Sequence, residues 1–293
     1  MSPLVSIGLP TRNGAERIER VVKSVLAQDH EPLELVICDN ASTDDTEEVC
    51  RTLAKGDDRI VYHRHPQNIG LLGNFVSTMR LSTGEFFRWM SDDDALEPNC
   101  VSRSLEAFAA DDRLLLVMGQ ISYTGDDGVT QSAPYDGTAL GSDDPIERFT
   151  EMLRLLNESH LLIDPLYGLF RRAPLAAISR RNMLREDEVF AAKLALAGPW
   201  GYVPEVLGHR HWKHESISVL ARRLDVPAWQ AHFATTLQCR EMLRWVSDPA
   251  RTPELTDRQR RQARAAVRAM WLRRQQRVAA RRTRKLVRLA TRR

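Results

Sequence analysis

Phe86-Phe87-Arg88-Trp89-Met90-Ser91-Asp92-Asp93-Asp94 is an apolar run that ends in three adjacent carboxylates. Carboxylates set side by side repel one another, so a fold that places them at the end of a buried strand must supply a cation, hydrogen-bond donors or solvent. A divalent cation such as Mg²⁺ or Mn²⁺ meets that need, because it takes one or two protein carboxylates and leaves its other positions to water and substrate phosphates. Aspartate is also common in polar loops and helix caps, and the triplet alone does not separate these readings.

Upstream, the run is preceded by three more short apolar strands alternating with helices. Leu4-Val5-Ser6-Ile7-Gly8-Leu9, closed by Pro10, suits a buried strand. Ile18, Val21, Val22, Val25 and Leu26 then fall on one helical face. Leu33-Glu34-Leu35-Val36-Ile37-Cys38 reads as the second strand, and Thr43 or Asp44 can cap a helix that turns Val49 and Leu53 inward. Arg59-Ile60-Val61-Tyr62-His63 is the third, followed by a loop with Asn68, Gly70 and Gly73 and a helix through Phe75 and Met79. This alternation predicts a parallel sheet with right-handed crossovers. Ligands of such sheets sit beyond the carboxyl ends of the strands. Pro10-Thr11-Arg12-Asn13, Asp39-Asn40 and Ser91 to Asp94 all lie at such ends, so three loops distant in sequence are expected to converge on one crevice.

Downstream, a helix is expected over about 98–110 and a strand over about 114–118. Residues 122–144, rich in Gly and Asp, read as an irregular segment, either a lid or acceptor loop or a plain surface loop. A helix over 146–156 and a strand over 166–170 follow. Arg185-Glu186-Asp187-Glu188 opens a helix running to about 197, a place where capping and the helix dipole already favour acids. Trp200-Gly201-Tyr202-Val203-Pro204 resembles a last strand. His209, His211 and His214 beyond it are read as solvated loop residues or as donors to a metal or phosphate. From Val226 onward the pattern is helical, interrupted at Asp248-Pro249 and Thr252-Pro253.

The chain has 293 residues, enough for one large domain or two small ones. No apolar run approaches the roughly 20 residues of a membrane span, and residues 1–10 lack the features of a signal peptide, so a cytoplasmic location is expected. Cys38, Cys50, Cys100 and Cys239 lack metal-site spacing and read as reduced thiols. Charge is unevenly placed: residues 258–293 hold 15 basic and no acidic side chains, so a total of +3 leaves −12 on residues 1–257. Val267, Met270, Trp271, Val278, Leu286, Val287 and Leu289 are interspersed among the arginines, and because Trp271, Val278, Leu286 and Leu289 accompany the charge, an anionic membrane surface is expected rather than nucleic acid; self-association is a further reading.

Taken together and in order, Val5-Ser6-Ile7-Gly8-Leu9-Pro10-Thr11-Arg12-Asn13, Asp39-Asn40-Ala41-Ser42-Thr43-Asp44-Asp45-Thr46, Asn68-Ile69-Gly70, Ser91-Asp92-Asp93-Asp94 with Pro98, and Glu186-Asp187 resemble an inverting glycosyltransferase of family 2, over roughly residues 3–218. The resemblance implies an α/β fold of GT-A type: a single Rossmann-like, mostly parallel sheet flanked by helices, with a helical C-terminal extension. It divides the chain into a catalytic domain over 1–218, nucleotide-binding to about 120 and acceptor-binding from about 121, and a helical region over 219–293.

The implied activity is a hexosyltransferase that takes a sugar from a nucleotide-diphosphate donor to an acceptor hydroxyl, lipid-linked acceptors included, in cell-surface glycan or natural-product glycoside synthesis. The chemistry needs a divalent metal, Mn²⁺ or Mg²⁺, to neutralise the departing diphosphate, and a base for the acceptor proton. By match to the family's Glu-Asp pair the base is Asp187, with Glu186 and Glu188 as alternatives. Asp93 matches the principal metal ligand and Asp92 a ribose contact or second ligand, with Asp94 in support; His211 and His214 lie near where some members place another ligand. Pro10, Thr11, Arg12, Asn13, Asp39, Asn40, Asn68 and Gly70 match nucleotide contacts. The chain departs from the commoner Asp-Asp-Gly-Ser pattern with Asn40, which keeps a carbonyl acceptor for a uracil or thymine N3–H, so UDP is favoured over dTDP or GDP donors. A nucleotidyltransferase is the second reading. Pro10-Thr11-Arg12-Asn13-Gly14 is a poor match to the Gly-rich phosphate loop of that class.

Overall fold

The structure, a computed structural model, describes residues 2–158, 164–212 and 215–290, with side chains to residue 280. Val5–Thr11 (β1), Leu33–Asp39 (β2), Ile60–Arg64 (β3) and Phe86–Trp89 (β4) are parallel neighbours in the order β3-β2-β1-β4. Every residue of β1 is buried, as a central strand covered on both faces requires. On one face lie Ala15–Leu26 (α1), Thr46–Gly56 (α2) and Cys100–Ala110 (α4), whose Ile18, Val22, Cys50 and Phe108 pack on Ile7, Leu9 and Leu35. Leu71–Leu81 (α3) covers the other face. Gly8 lets it approach: a Cβ there would lie 2.6 Å from Thr78 Oγ1 and 2.7 Å from the Phe87 ring.

Ala95–Leu96 (β5), Leu116–Gly125 (β6), Thr130–Gln131 (β7), Leu169–Arg171 (β8) and Trp200–Trp212 (β9) extend the sheet beyond β4 in the order β8-β6-β9-β5, with β7 paired to β6. The expectation of a mostly parallel sheet holds for β1 to β4, β6 and β9. It is corrected at β8, which runs antiparallel between β4 and β6, and at β5 and β7, also antiparallel to their partners. Two further expectations are revised. Residues 122–125, expected to be irregular, complete β6 and turn into a hairpin at Gly128, whose φ is 75°. β9 does not stop at Pro204: the β6/β9 register steps from Gly119↔Val203 to Gln120↔Val206, so the proline sits in a bulge where no ladder donor is needed. His209, Arg210 and His211 are therefore strand residues with alternating directions.

Pro145–Leu155 (α5), Arg172–Ala176 (α6), Glu186–Ala197 (α7), Ile217–Arg223 (α8), Gln230–Ser247 (α9) and Asp257–Ala290 (α10) complete the chain. Beyond its first turn, α7 is buried from Val189 to Leu196, the pattern of a helix enclosed on all sides. Its apolar residues join Phe149 and Met152 of α5, Met242 and Val246 of α9, and Ala263, Val267 and Met270 of α10 in one core with Trp89 and Phe170. The C-terminal helices thus share a core with the sheet. Val267 and Met270 are buried, and Trp271, one of the residues expected at a lipid surface, packs partly buried against this core, whereas Val278 is exposed. Side chains of Leu286, Val287 and Leu289 lie outside the described residues.

Candidate active site

The loops after β1, β2 and β4 do converge. Asn13 takes a left-handed φ of 52°, and its amide oxygen accepts the Thr43 N–H at 2.9 Å while its own N–H donates to Ser42 Oγ at 2.9 Å. Gly14 N donates to Thr46 Oγ1 at 2.8 Å, so the first loop is stapled to the second. Asp39 is fully buried and accepts from Ser42 N (2.8 Å), Ser42 Oγ (2.5 Å) and Tyr62 OH (2.9 Å). Asn40 is buried; its Nδ2 donates to Asn68 Oδ1 at 2.7 Å and to the Gly70 carbonyl at 3.2 Å, and its Oδ1 accepts the Ile69 N–H at 2.8 Å. One lone pair of that oxygen remains for a further donor. Pro10 is buried in β1 and Arg12 is exposed at the rim.

The three aspartates have separate surroundings. Asp92 accepts from Thr11 Oγ1 at 2.9 Å and pairs with Arg17 at 3.0 Å, tying the triplet to the start of α1. Asp93 is half-buried, accepts the Ser91 hydroxyl at 2.8 Å and has no cation partner among the described residues; Arg20 donates to its backbone carbonyl at 2.8 Å. Asp94 is buried, pairs with Arg210 Nε at 3.1 Å and keeps an Oδ1 without a hydrogen-bond partner among the described residues. Burial, opposed by Arg210, pushes its pKa up to about 6. Arg210 also pairs with Asp164 and lies 3.7 Å from the Tyr167 ring centroid.

At the start of α7 the three acids also differ. Glu186 is buried against Arg180, whose guanidinium stacks on Phe190 and Trp89. Glu188 is held by Arg185 (2.5 Å), Arg274 (2.6 Å) and Gln238 (3.0 Å). Asp187 alone of the three has no cation partner among the described residues. Its residue is solvent-exposed, and desolvation by the protein packed around the carboxylate, then the charges of Glu188 and Glu186, push its pKa up to about 6. Asp164 adds a smaller effect to both Asp187 and Asp94, so both carboxylates lie within electrostatic reach of the same side chain.

Among the described residues, no three of His, Cys, Asp and Glu converge in a metal-holding cluster. His211 Nε2 donates to Asp126 Oδ1 at 3.1 Å and His209 pairs with Glu97 at 2.6 Å. His214 lies outside the described residues. The donor set still fits a hard cation of the kind that keeps only one or two carboxylates: among the described residues Asp93 has no cation partner and the buried Asp94 Oδ1 has no donor. Arg17, Asp164, Tyr167 and Arg210 escaped the sequence reading. Only the strand alternation of residues 209–211 carried a signal, hidden by the bulge at Pro204.

The fold is of the GT-A class. The chain belongs to glycosyl transferase family 2, whose model matches residues 6–178. It is 36% identical over 106 residues to the GalNAc(5)-diNAcBac-PP-undecaprenol beta-1,3-glucosyltransferase of Campylobacter jejuni, covering 36% of this chain and 34% of that one. It is 36% identical over 115 residues to the chondroitin synthase of Pasteurella multocida, covering 39% of this chain and 12% of the synthase. The matched stretches thus span about a third and about an eighth of these relatives' lengths. Among solved structures, S. aureus TarS in complex with UDP-GlcNAc superposes with a TM-score of 0.62 at 16% identity, covering 82% of this chain and 66% of that one. Mannosyltransferase PcManGT from Pyrobaculum calidifontis, in complex with GDP-Man and Mn²⁺, gives 0.56 at 17%, covering 92% and 74%.

Proposed function

We propose that the chain transfers a sugar, with inversion, from a nucleotide-diphosphate donor to an acceptor hydroxyl. The observation that carries this reading is Asp187, a carboxylate at a helix start without a cation partner among the described residues, which feels the same Asp164 charge as Asp94 of the acidic triplet and whose pKa is pushed up to about 6. A carboxylate of that basicity is ionised at neutral pH and accepts the acceptor's proton as the hydroxyl oxygen attacks the anomeric carbon. The bond from that carbon to the diphosphate oxygen breaks on the opposite face, which inverts the centre. Glu186 and Glu188, each already paired with arginine, are less suited to the task.

Asp93 and Asp92 would hold Mn²⁺ or Mg²⁺, with His211 and His214 as further donors. The bound cation would supply charge neutralisation for the departing diphosphate. Thr11, Asn13, Asp39, Asn40, Asn68 and Gly70 build the nucleobase and ribose wall, with Pro10 and Arg12 at its edge. Asp39 acts there through the loop it fixes. Uridine remains the favoured base, through the second lone pair of Asn40 Oδ1; the neighbours bind UDP-GlcNAc and GDP-Man, so GDP is the first competitor to test. A relative named for an undecaprenol-linked acceptor supports a lipid-linked acceptor here. No described helix is long and apolar enough to cross a membrane. Peripheral contact with an anionic surface through the basic face of α10 would bring such an acceptor within reach.

Donor hydrolysis and transfer, followed by nucleotide release with Mn²⁺ across UDP-, dTDP- and GDP-sugars, test the reading. Asp93→Ala and Asp187→Asn are each expected to lower turnover by about 10²–10⁴-fold, with the fold retained. Unchanged turnover in both variants would sink the assignments.

A further inference from the structure

Arg274 lies far along the basic helix α10, yet it is one of the most heavily bonded arginines in the protein. Its Nη2 pairs with Glu188 Oε2 at 2.6 Å and donates to the Leu156 carbonyl at 2.7 Å. Its Nε donates to Asn157 Oδ1 at 2.9 Å and its Nη1 to Gln238 Oε1 at 2.7 Å. The side chain is only 12% exposed and Glu188 18%. One guanidinium thus ties together the end of α5, the middle of α9 and the first turn of α7, where Asp187 sits. We infer that Arg274 is a positioning residue for Asp187: it pins Glu188 as a neutralised neighbour, and so sets both the direction and the basicity of the adjacent carboxylate.

The charges around this pair come from several elements. Glu188 faces Arg185 from its own helix start, Arg274 from α10 and the neutral Gln238 from α9, with the Cys239 thiol close enough to feel all three charges. Asp187 faces Glu188 and Glu186, and Asp164 from across the crevice. Glu186 is separately neutralised by Arg180. Removing Arg274 leaves Arg185 as the only cation on Glu188 among the described residues, so more of the glutamate's charge acts on Asp187 and favours its protonated form. The loss also removes the bonds to the Leu156 carbonyl and the Asn157 side chain at the end of α5, which Arg277 and the helix backbone still hold. A residue that only stabilised α10 would lower the melting point and leave the titration of Asp187 where it was.

The inference rests on the glycosyl-transfer reading for its catalytic meaning, but its first test does not need turnover. In the full chain labelled with ¹³C at aspartate carboxyls, the Asp187 resonance, assigned by its absence in Asp187→Asn, is followed from pH 4 to 9. Arg274→Gln is expected to raise its midpoint by about half a pH unit or more. Arg274→Lys should fall between, and Arg274→Gln with Glu188→Gln should return the midpoint to or below the wild-type value. Glu188→Gln alone, which does not depend on Arg274 variants folding, should lower it. An identical midpoint in wild type and folded Arg274→Gln, or no response to Glu188→Gln, overturns the inference. In the donor-hydrolysis assay the acid limb of the kcat profile should move with the same midpoints, while KM for the donor changes less than twofold. Absence of turnover in wild type with every nucleotide sugar would count against the proposed function and leave the titration to decide on Arg274.

Discussion

Two carboxylates, Asp94 and Asp187, are pushed to about 6, and they are not interchangeable. Asp94 is buried on Arg210, whereas Asp187 is open and unpaired by any described cation. A base must be ionised to act, so turnover is expected to fall as pH drops through 6, to about half its plateau at pH 6 and about a tenth at pH 5. Rate against pH in Glu188→Gln, which removes the second largest cause of the shift, should show that limb displaced to lower pH. A limb that stayed in place would assign it to another group.

Ala41 offers a second test at this scale. Its φ of 55° is left-handed, at the place where the commoner pattern of the resembled family has glycine. A side chain there costs ~1–2 kcal/mol, offset by ~0.4–1 kcal/mol because alanine restricts the unfolded chain. Ala41→Gly is therefore expected to stabilise the protein by about 0.5–1 kcal/mol in urea denaturation. The motif residues Thr11, Asn13, Asn40, Asp92 and Asp93 were legible in the sequence because strand ends are fixed by short apolar runs. Arg210, Asp164 and Arg274 were not, because a buried arginine has the same letter as a solvated one and its partners are 36 to 118 residues away.

Among the elements, β1 to β4 with α1 to α4 follow the sequence closely: their apolar periods of 2 and 3.6 are set locally. The antiparallel direction of β8 and the second half of β9 were hidden for a tertiary reason. β8 is three residues long and antiparallel, a pairing dictated by its neighbours, and β9 continues past a proline that its bulge accommodates. α10 was read as one amphipathic surface helix and proves to be divided. Ala263, Val267 and Met270 face the core, while Arg261, Arg268, Arg273, Leu272 and Val278 remain exposed. Each arginine near an anionic surface contributes ~1 kcal/mol, so replacing Arg261, Arg268 and Arg273 by glutamine should weaken binding to anionic vesicles by about 3 kcal/mol, a factor of roughly 100. Flotation measures it, and equal recovery of the wild type on anionic and neutral vesicles would remove the idea.

For the whole molecule, the sheet divides two cores. The one under α1, α2 and α4 is built mostly from residues 5–117, whereas the other gathers residues from Met79 to Met270. Met270 is 2% exposed in that second core, and Met270→Ala is expected to cost about 2–4 kcal/mol, read as a lower urea midpoint with α7 and α10 melting together. Independent melting of α10 with the sheet unaffected would contradict the shared core.

This division has a consequence for synthesis. At 5–20 residues per second, on the order of ten seconds separate the end of α4 from the emergence of Met270. During that interval the nucleotide half can close around β1 while Trp89, Phe170 and Phe190 wait for their last cover. A nascent chain stalled before residue 263 would expose an apolar sheet face, a ready target for chaperones and proteases. The arginine that pins Glu188 arrives with the same helix, so the site is completed only as the last core residues are made.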